Sequence, residues 1–214
     1  MDANYILDEM DKMFPDAECA LHHRNPYELI IAVVLSAQTT DEAVNKVTPA
    51  LFQRFPTPED LMEGDITEIE SYLTKIGLYR NKSKMIKSLS TTLVLEYNSQ
   101  VPATMKELTS LAGVGRKTAN VVLSVAYDIP AFAVDTHVER VSKRLGLAKF
   151  DDKVEDVERK LKRKLDRNRW NKAHHSFIFF GRYHCKALRP NCEECVFAKE
   201  CKREQFEQYK KKKK

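Results

Sequence analysis

The 214-residue sequence is short of several things, and each shortage narrows the field. Its longest purely apolar run, Leu29 to Leu35, spans seven residues, whereas a membrane-crossing helix needs about 20. No stretch alternates apolar and polar residues long enough to demand a sheet. Glycine occurs six times, and no segment is rich in Gly and Ser, so no flexible linker is expected. Residues 1–14 are acidic and amphipathic, without the basic flank and apolar core of a signal peptide. These shortages predict a soluble, cytoplasmic protein with no membrane role, and a monomer is expected.

Helical periodicity is what the sequence does have. Tyr5, Ile6, Met10, Met13 and Phe14 recur at helical spacing and predict a first helix facing a core. Tyr27 to Ala37 is too apolar for a surface helix and predicts a buried one. Asp41 to Phe55 carries Val44, Val47, Leu51 and Phe55 on one stripe, and Thr57–Pro58–Glu59–Asp60 is a helix start. Ile66–Leu73, Lys82–Tyr97 and the stripe Val154, Val157, Leu161, Leu165 complete an all-α class.

Charge is uneven along the chain. Residues 1–140 hold 13 Lys/Arg against 20 Asp/Glu, while residues 141–214 hold 23 against 11. A basic C-terminal part in an otherwise acidic chain points to a polyanion partner. Lys210 to Lys214 read as a disordered lysine tail, but the asymmetry survives without them.

Of five cysteines, Cys19 stands alone and four crowd together as Cys185, Cys192, Cys195 and Cys201, spaced C-x6-C-x2-C-x5-C. A cytoplasmic protein would not keep disulfides, so this cluster reads as a metal site, for zinc or for iron and sulfur. One tight pair with long flanking intervals differs from the two tight pairs common in structural zinc sites. Arg182, Lys186, Arg189, Lys199, Lys202 and Arg203 surround it.

Two of the six glycines fall at Gly113 and Gly115, inside LTSLAGVGRKTANVVLSVA over residues 108–126. The segment reads as a helix, a glycine-flanked turn anchored by Val114, and a second helix whose first amides form a phosphate seat. A plain packing corner is the bland alternative. Lys117 sits in the first turn of the second helix, where an ammonium is disfavoured by the helix dipole. It is therefore either a phosphate contact or a nucleophile, whose neutral amine the dipole and burial would favour. Asp135, in AVDTHV, is an ordinary helix N-cap by itself, and the cap does not preclude a second role.

The hairpin LAGVGRKTANVV, the segment VDTHVER and the cysteine spacing together resemble the helix-hairpin-helix DNA glycosylase superfamily, specifically its endonuclease III branch, from about Phe14 to Cys201. Where that family's hairpin usually has proline, this chain has Ala112. The resemblance implies two helical lobes with a DNA-binding groove between them. One is a six-helix barrel over residues 20–130, with the hairpin at 108–126. The other, a cluster lobe, joins residues 1–19 to 131–209. It implies a bifunctional DNA glycosylase and abasic-site lyase acting on double-stranded DNA with damaged pyrimidines or abasic sites. Lys117 would be the nucleophile and Asp135 its carboxylate partner, with Cys185, Cys192, Cys195 and Cys201 ligating a [4Fe–4S] cluster. Gly113, Val114, Gly115 and Arg116 would meet the DNA backbone. LSAQTTD and IGLYRNK resemble loops entering from the minor groove, with Gln38 filling the vacated space and Leu78 as a wedge; their alternatives are a helix-end amide and a core leucine. Arg80, Lys82, Lys84 and Lys87 are candidate phosphate contacts. His137 is weighed between lining the pocket and a structural role, while His174, His175 and His184 read as structural. Among rivals, the adenine-mismatch branch typically lacks the lysine and carries an additional domain. A non-enzymatic hairpin module has no use for Lys117 with Asp135, and an electron carrier none for a basic hairpin.

Overall fold

A computed structural model describes residues 1–212. Twelve α-helices occur among the described residues, with short 3₁₀ and π turns and no strand. In order they are α1 Ala3–Met13, α2 Pro26–Leu35, α3 Asp41–Arg54, α4 Pro58–Glu63, α5 Ile66–Leu73 and α6 Tyr79–Tyr97. These are followed by α7 Met105–Leu108, α8 Arg116–Tyr127, α9 Thr136–Arg144, α10 Val154–Lys164, α11 Trp170–Phe179 and α12 Arg203–Lys212. The chain divides into two compact units. One is residues 19–129, and the other joins residues 1–18 to residues 130–214.

The 19–129 unit is organised on α2, every residue of which from Tyr27 to Leu35 is buried. Asn25 starts it, its side chain accepting from the Glu28 amide at 2.9 Å, with Pro26 where no amide proton is needed. Helices α3, α6 and α8 pack on it, and α4 and α5 pack on α6. The helix start at Thr57 is a reciprocal capping box with Asp60. Helix α6 begins at Tyr79, three residues before the expected Lys82, because Leu78 takes a left-handed conformation (φ 59°) and turns the chain into the helix there.

The second unit packs α1 against α10 and α11, and α9 against α10, α11 and α12. Ile6, Leu7 and Met10 of α1 meet Val138, Val141, Val157, Leu161, Phe177 and Phe180 in one core. Asp2 caps α1 through the Asn4 and Tyr5 amides. Tyr5, expected to face this core, is 48% exposed; it lies beside the buried stripe and meets Phe197 edge-on at 6.4 Å. The lysine tail also differs from expectation. Lys210–Lys212 continue α12, where cations complement the negative helix end, and Lys213 and Lys214 lie outside the described residues.

Candidate nucleic-acid interface and metal centre

The hairpin is asymmetric. Its first arm, α7, is a single turn capped by Thr104, and the chain then winds through 109–115 into α8. Val114 is buried and its amide donates to Leu111 O at 3.1 Å, so it anchors the turn as its apolar character demands. Gly113 is left-handed (φ 76°), and a β-carbon there would lie 3.0 Å from Val34 Cγ1, so any other residue would be strained and would press on Val34. Gly115 differs: a β-carbon would meet open space, so its own chain does not require glycine. It is the N-cap of α8 and offers no side-chain cap, leaving the first amides of the helix without one. Helix dipole and amides together make a seat for an anion.

Lys117 is exposed in the first turn of α8. The expectation that burial helps neutralise it is corrected: the side chain is exposed in the free protein.

Gln38 and Leu78, in the same unit, are both exposed and both left-handed, at φ 54° and 59°. Leu78 is 58% exposed, which removes the alternative of a core leucine. Holding a leucine with positive φ costs of order 1–2 kcal/mol, with no burial to offset it. The two loops are tied by Lys82, whose Nζ donates to Thr39 Oγ1 at 2.6 Å. Lys82 is itself 4% exposed, and burial lowers its pKa. It is thus an internal strut rather than a phosphate contact. Lys87 is likewise engaged internally, donating to Met62 O and Gly64 O at 2.5 Å. Arg80 and Lys84 remain exposed.

In the other unit, Asp135 is the N-cap of α9. Its Oδ1 accepts from the His137 and Val138 amides at 2.9 and 2.8 Å, leaving Oδ2 outside the cap. His137 is half-buried, its Nδ1 lying 3.2 Å from Arg140 Nη2. Burial lowers its pKa, partly opposed by the Asp135 charge. A β-carbon on Gly181, at the π turn 180–184, would come within 2.8 Å of His137 Cβ, so glycine lets the two segments close up. Arg140 spans them, donating to Gly181 O at 2.8 Å and Cys185 O at 3.2 Å.

Cys185, Cys192, Cys195 and Cys201 line one cavity of about 310 Å³, while Cys19 belongs to the other unit. Among the described residues no three His, Cys, Asp or Glu side chains converge as ligands of a single ion. The thiols instead share a space about ten times a water's volume in the liquid. Burial raises the pKa of Cys195 and Cys201, and the neighbouring cysteines add to it. Holding Cys195 and Cys201 as thiolates here therefore needs cationic compensation. Two further side chains on the same wall have buried, unpartnered nitrogens, His184 Nε2 and Arg203 Nε. His184, read as structural, thus has one ring nitrogen without a partner, whereas His174 Nδ1–H donates to Ala133 O at 2.9 Å.

Arg144 is the residue sequence reasoning missed. It is 1% exposed at the end of α9. Its guanidinium reaches Cys185 Sγ at 3.4 Å, Lys186 O at 2.8 Å and Glu207 Oε1 at 2.6 Å. Arg203 Nη1 reaches Cys192 Sγ at 3.3 Å. The only sequence signal for Arg144 was a cation on an otherwise apolar helix stripe with Val138 and Val141.

An all-helical chain with a glycine hairpin, a basic α8 start and a four-thiol cavity defines a class, and comparison with known proteins identifies it. The HhH-GPD superfamily of base excision DNA repair proteins matches residues 31–167. Endonuclease III of Bacillus subtilis (strain 168) is 52% identical over 198 residues, covering 92% of this chain and 90% of that protein. Endonuclease III of Synechocystis sp. is 46% identical over 200 residues, covering 93% and 91%. The structure of a trapped endonuclease III–DNA covalent intermediate matches with a TM-score of 0.92 at 54% identity, covering 96% of each chain. The chain belongs to the HhH-GPD superfamily of base excision DNA repair proteins, in its endonuclease III branch. Its role is that of a DNA glycosylase and abasic-site lyase.

Proposed function

We propose that the protein removes oxidised or damaged pyrimidines from duplex DNA and then cleaves the strand 3′ to the abasic site, with Lys117 as nucleophile. The observation that carries this reading is Lys117 itself, an exposed amine in the first turn of α8, directly after an anion-seating turn. It stands in a chain 54% identical to an enzyme caught covalently on DNA. The damaged nucleotide leaves the stack, because its sugar carbon is unreachable inside the duplex. The neutral amine of Lys117 attacks C1′, the C1′–N bond breaks, and the base departs with a proton. Opening of the sugar ring leaves an imine between Nζ and C1′. Loss of a proton from C2′ then expels the 3′ phosphate, and water releases Lys117 from the imine. Asp135 stabilises positive charge on the sugar through the carboxylate oxygen that α9 does not use. DNA that covers Lys117 supplies the desolvation that the free protein lacks.

Gly113, Val114, Gly115 and Arg116 hold the backbone. Gln38 and Leu78 occupy the duplex gap, His137 lines the sugar side, and Arg80 and Lys84 add phosphate contacts. Cys185, Cys192, Cys195 and Cys201 hold a [4Fe–4S] cluster, supported by the shared cavity and by His184 and Arg203 facing it with unpartnered nitrogens. When bound, the cluster cross-links the 185–201 loop. Protein purified anaerobically should contain iron and sulfide in similar amounts, and stoichiometric zinc without iron would overturn the assignment.

Lys117→Gln tests the central claim. It should retain most DNA affinity, lose base release and strand cleavage, and fail to be trapped on DNA by borohydride. Undiminished trapping of the variant would move the nucleophile elsewhere. Weakened binding with a salt slope lower by about one, and turnover intact, would make Lys117 a phosphate contact.

A further inference from the structure

After α9 the chain turns through left-handed Gly146 (φ 74°), with Leu147 N donating to Ser142 O at 2.9 Å. That turn, the end of α10 and the start of α12 enclose a cavity of about 690 Å³. Besides Lys160, four cations line it, Lys149, Arg163, Lys164 and Lys202, against one carboxylate, Asp151. Both carboxylate oxygens of Asp152 hold the Lys160 ammonium, at 2.7 and 2.6 Å. Among the described residues no ion pair engages the other four. Phe150 and Tyr209 form an aromatic wall, their ring centroids 5.8 Å apart.

Ordinary fold stability explains only part of this. Arg163 and Lys164 occupy the last turn of α10, where cations offset the helix dipole. Lys202 has no such reason. Its carbonyl accepts from Phe206 N at 2.9 Å, so it sits at the start of α12, the positive end. A β-carbon on Gly146 would lie 3.3 Å from Lys202 Cε, so the turn leaves room for this lysine stem. The opening falls within the size range of small-ligand sites, and cations beside aromatic rings suit a phosphate ester carrying a planar base.

We propose that this cleft is a second phosphate site that binds nucleotide phosphate groups, independent of the repair chemistry. Two sources share that chemistry: a free nucleoside triphosphate, and the phosphates of a DNA strand away from the lesion. The cluster-loaded protein is titrated with ATP, with inorganic tripolyphosphate, and with short and long duplexes carrying the same abasic-site analogue. The Lys149→Ala/Arg163→Ala variant is compared with the parent, after circular dichroism confirms its fold; Lys149→Glu alone, with the same change in net charge, serves as a second variant. About tenfold weaker ATP or tripolyphosphate binding in the variant identifies a free-nucleotide site. About tenfold weaker binding of the long duplex only, with a salt slope lower by about two, identifies a strand contact. Unchanged affinities in every arm overturn the proposal. Neither arm depends on Lys117 chemistry, so a failure here is separable from a failure of the assigned activity.

Discussion

The two units store function differently. The 19–129 unit is nearly neutral, with 11 Lys/Arg against 12 Asp/Glu, and keeps its special features in backbone conformation: exposed, left-handed Gln38 and Leu78. The other carries 25 against 19 and gathers a buried arginine and unpartnered nitrogens beside its four thiols, at Arg144, His184 and Arg203, whereas the buried cation of the first unit, Lys82, ties two loops. Conformational strain can be relieved by one substitution at little structural risk. Buried charge cannot, because removing one partner strands the others.

The sharpest way to break this contrast is Asp135→Asn. Asparagine caps helices about as well as aspartate, so the melting temperature should hold while base release slows about 10²–10³-fold. A parallel fall in stability and activity would reduce Asp135 to a cap. Next comes Arg144→Ala, expected to cost about 3–5 kcal/mol in urea denaturation, since Glu207 and the carbonyls of Cys185, Lys186 and Ala187 lose their donor. A loss below about 1 kcal/mol would show that buried charge does not hold this unit together.

Acid should also act through this unit. Burial lowers the His175 pKa to about 3, with cationic neighbours contributing. Unfolded histidine takes a proton below about 6.5 and the folded one does not, so stability falls as pH drops from 6.5 towards 3. By pH 5 the loss is roughly 1–2 kcal/mol, and His175→Gln should flatten the melting temperature between pH 7 and pH 5. An equally steep profile in the variant would assign the acid sensitivity to other groups. The smallest stability effect belongs to Leu78→Gly, which relieves the positive φ. It should leave stability within about 1 kcal/mol of the parent, or above it. Activity should still fall on paired duplex more than on an unpaired abasic site. Equal activity losses on both substrates would count against the wedge.

Features set by local spacing were legible in the sequence: α2 as a buried helix, the helix start at Thr57, the Val114 anchor and the isolation of Cys19. Those set by distant partners were not. Arg144 finds its acceptors 41 to 63 residues away, and Lys82 finds Thr39 at 43. No periodicity reports such pairings. Lys117 was placed on the correct turn, but its exposure depends on which helix faces the remaining chain covers.

The arrangement of the second unit from two separated stretches also imposes an order on biosynthesis. Residues 1–18 emerge from the ribosome first, yet the partners of Ile6, Leu7 and Met10 lie beyond residue 130, with about 110 residues of the other unit in between. The 19–129 unit can complete its own contacts while translation continues. Until the C-terminal stretch arrives, α1 presents an uncovered apolar face to the cell. During that interval the exposed apolar face makes the nascent chain prone to aggregation.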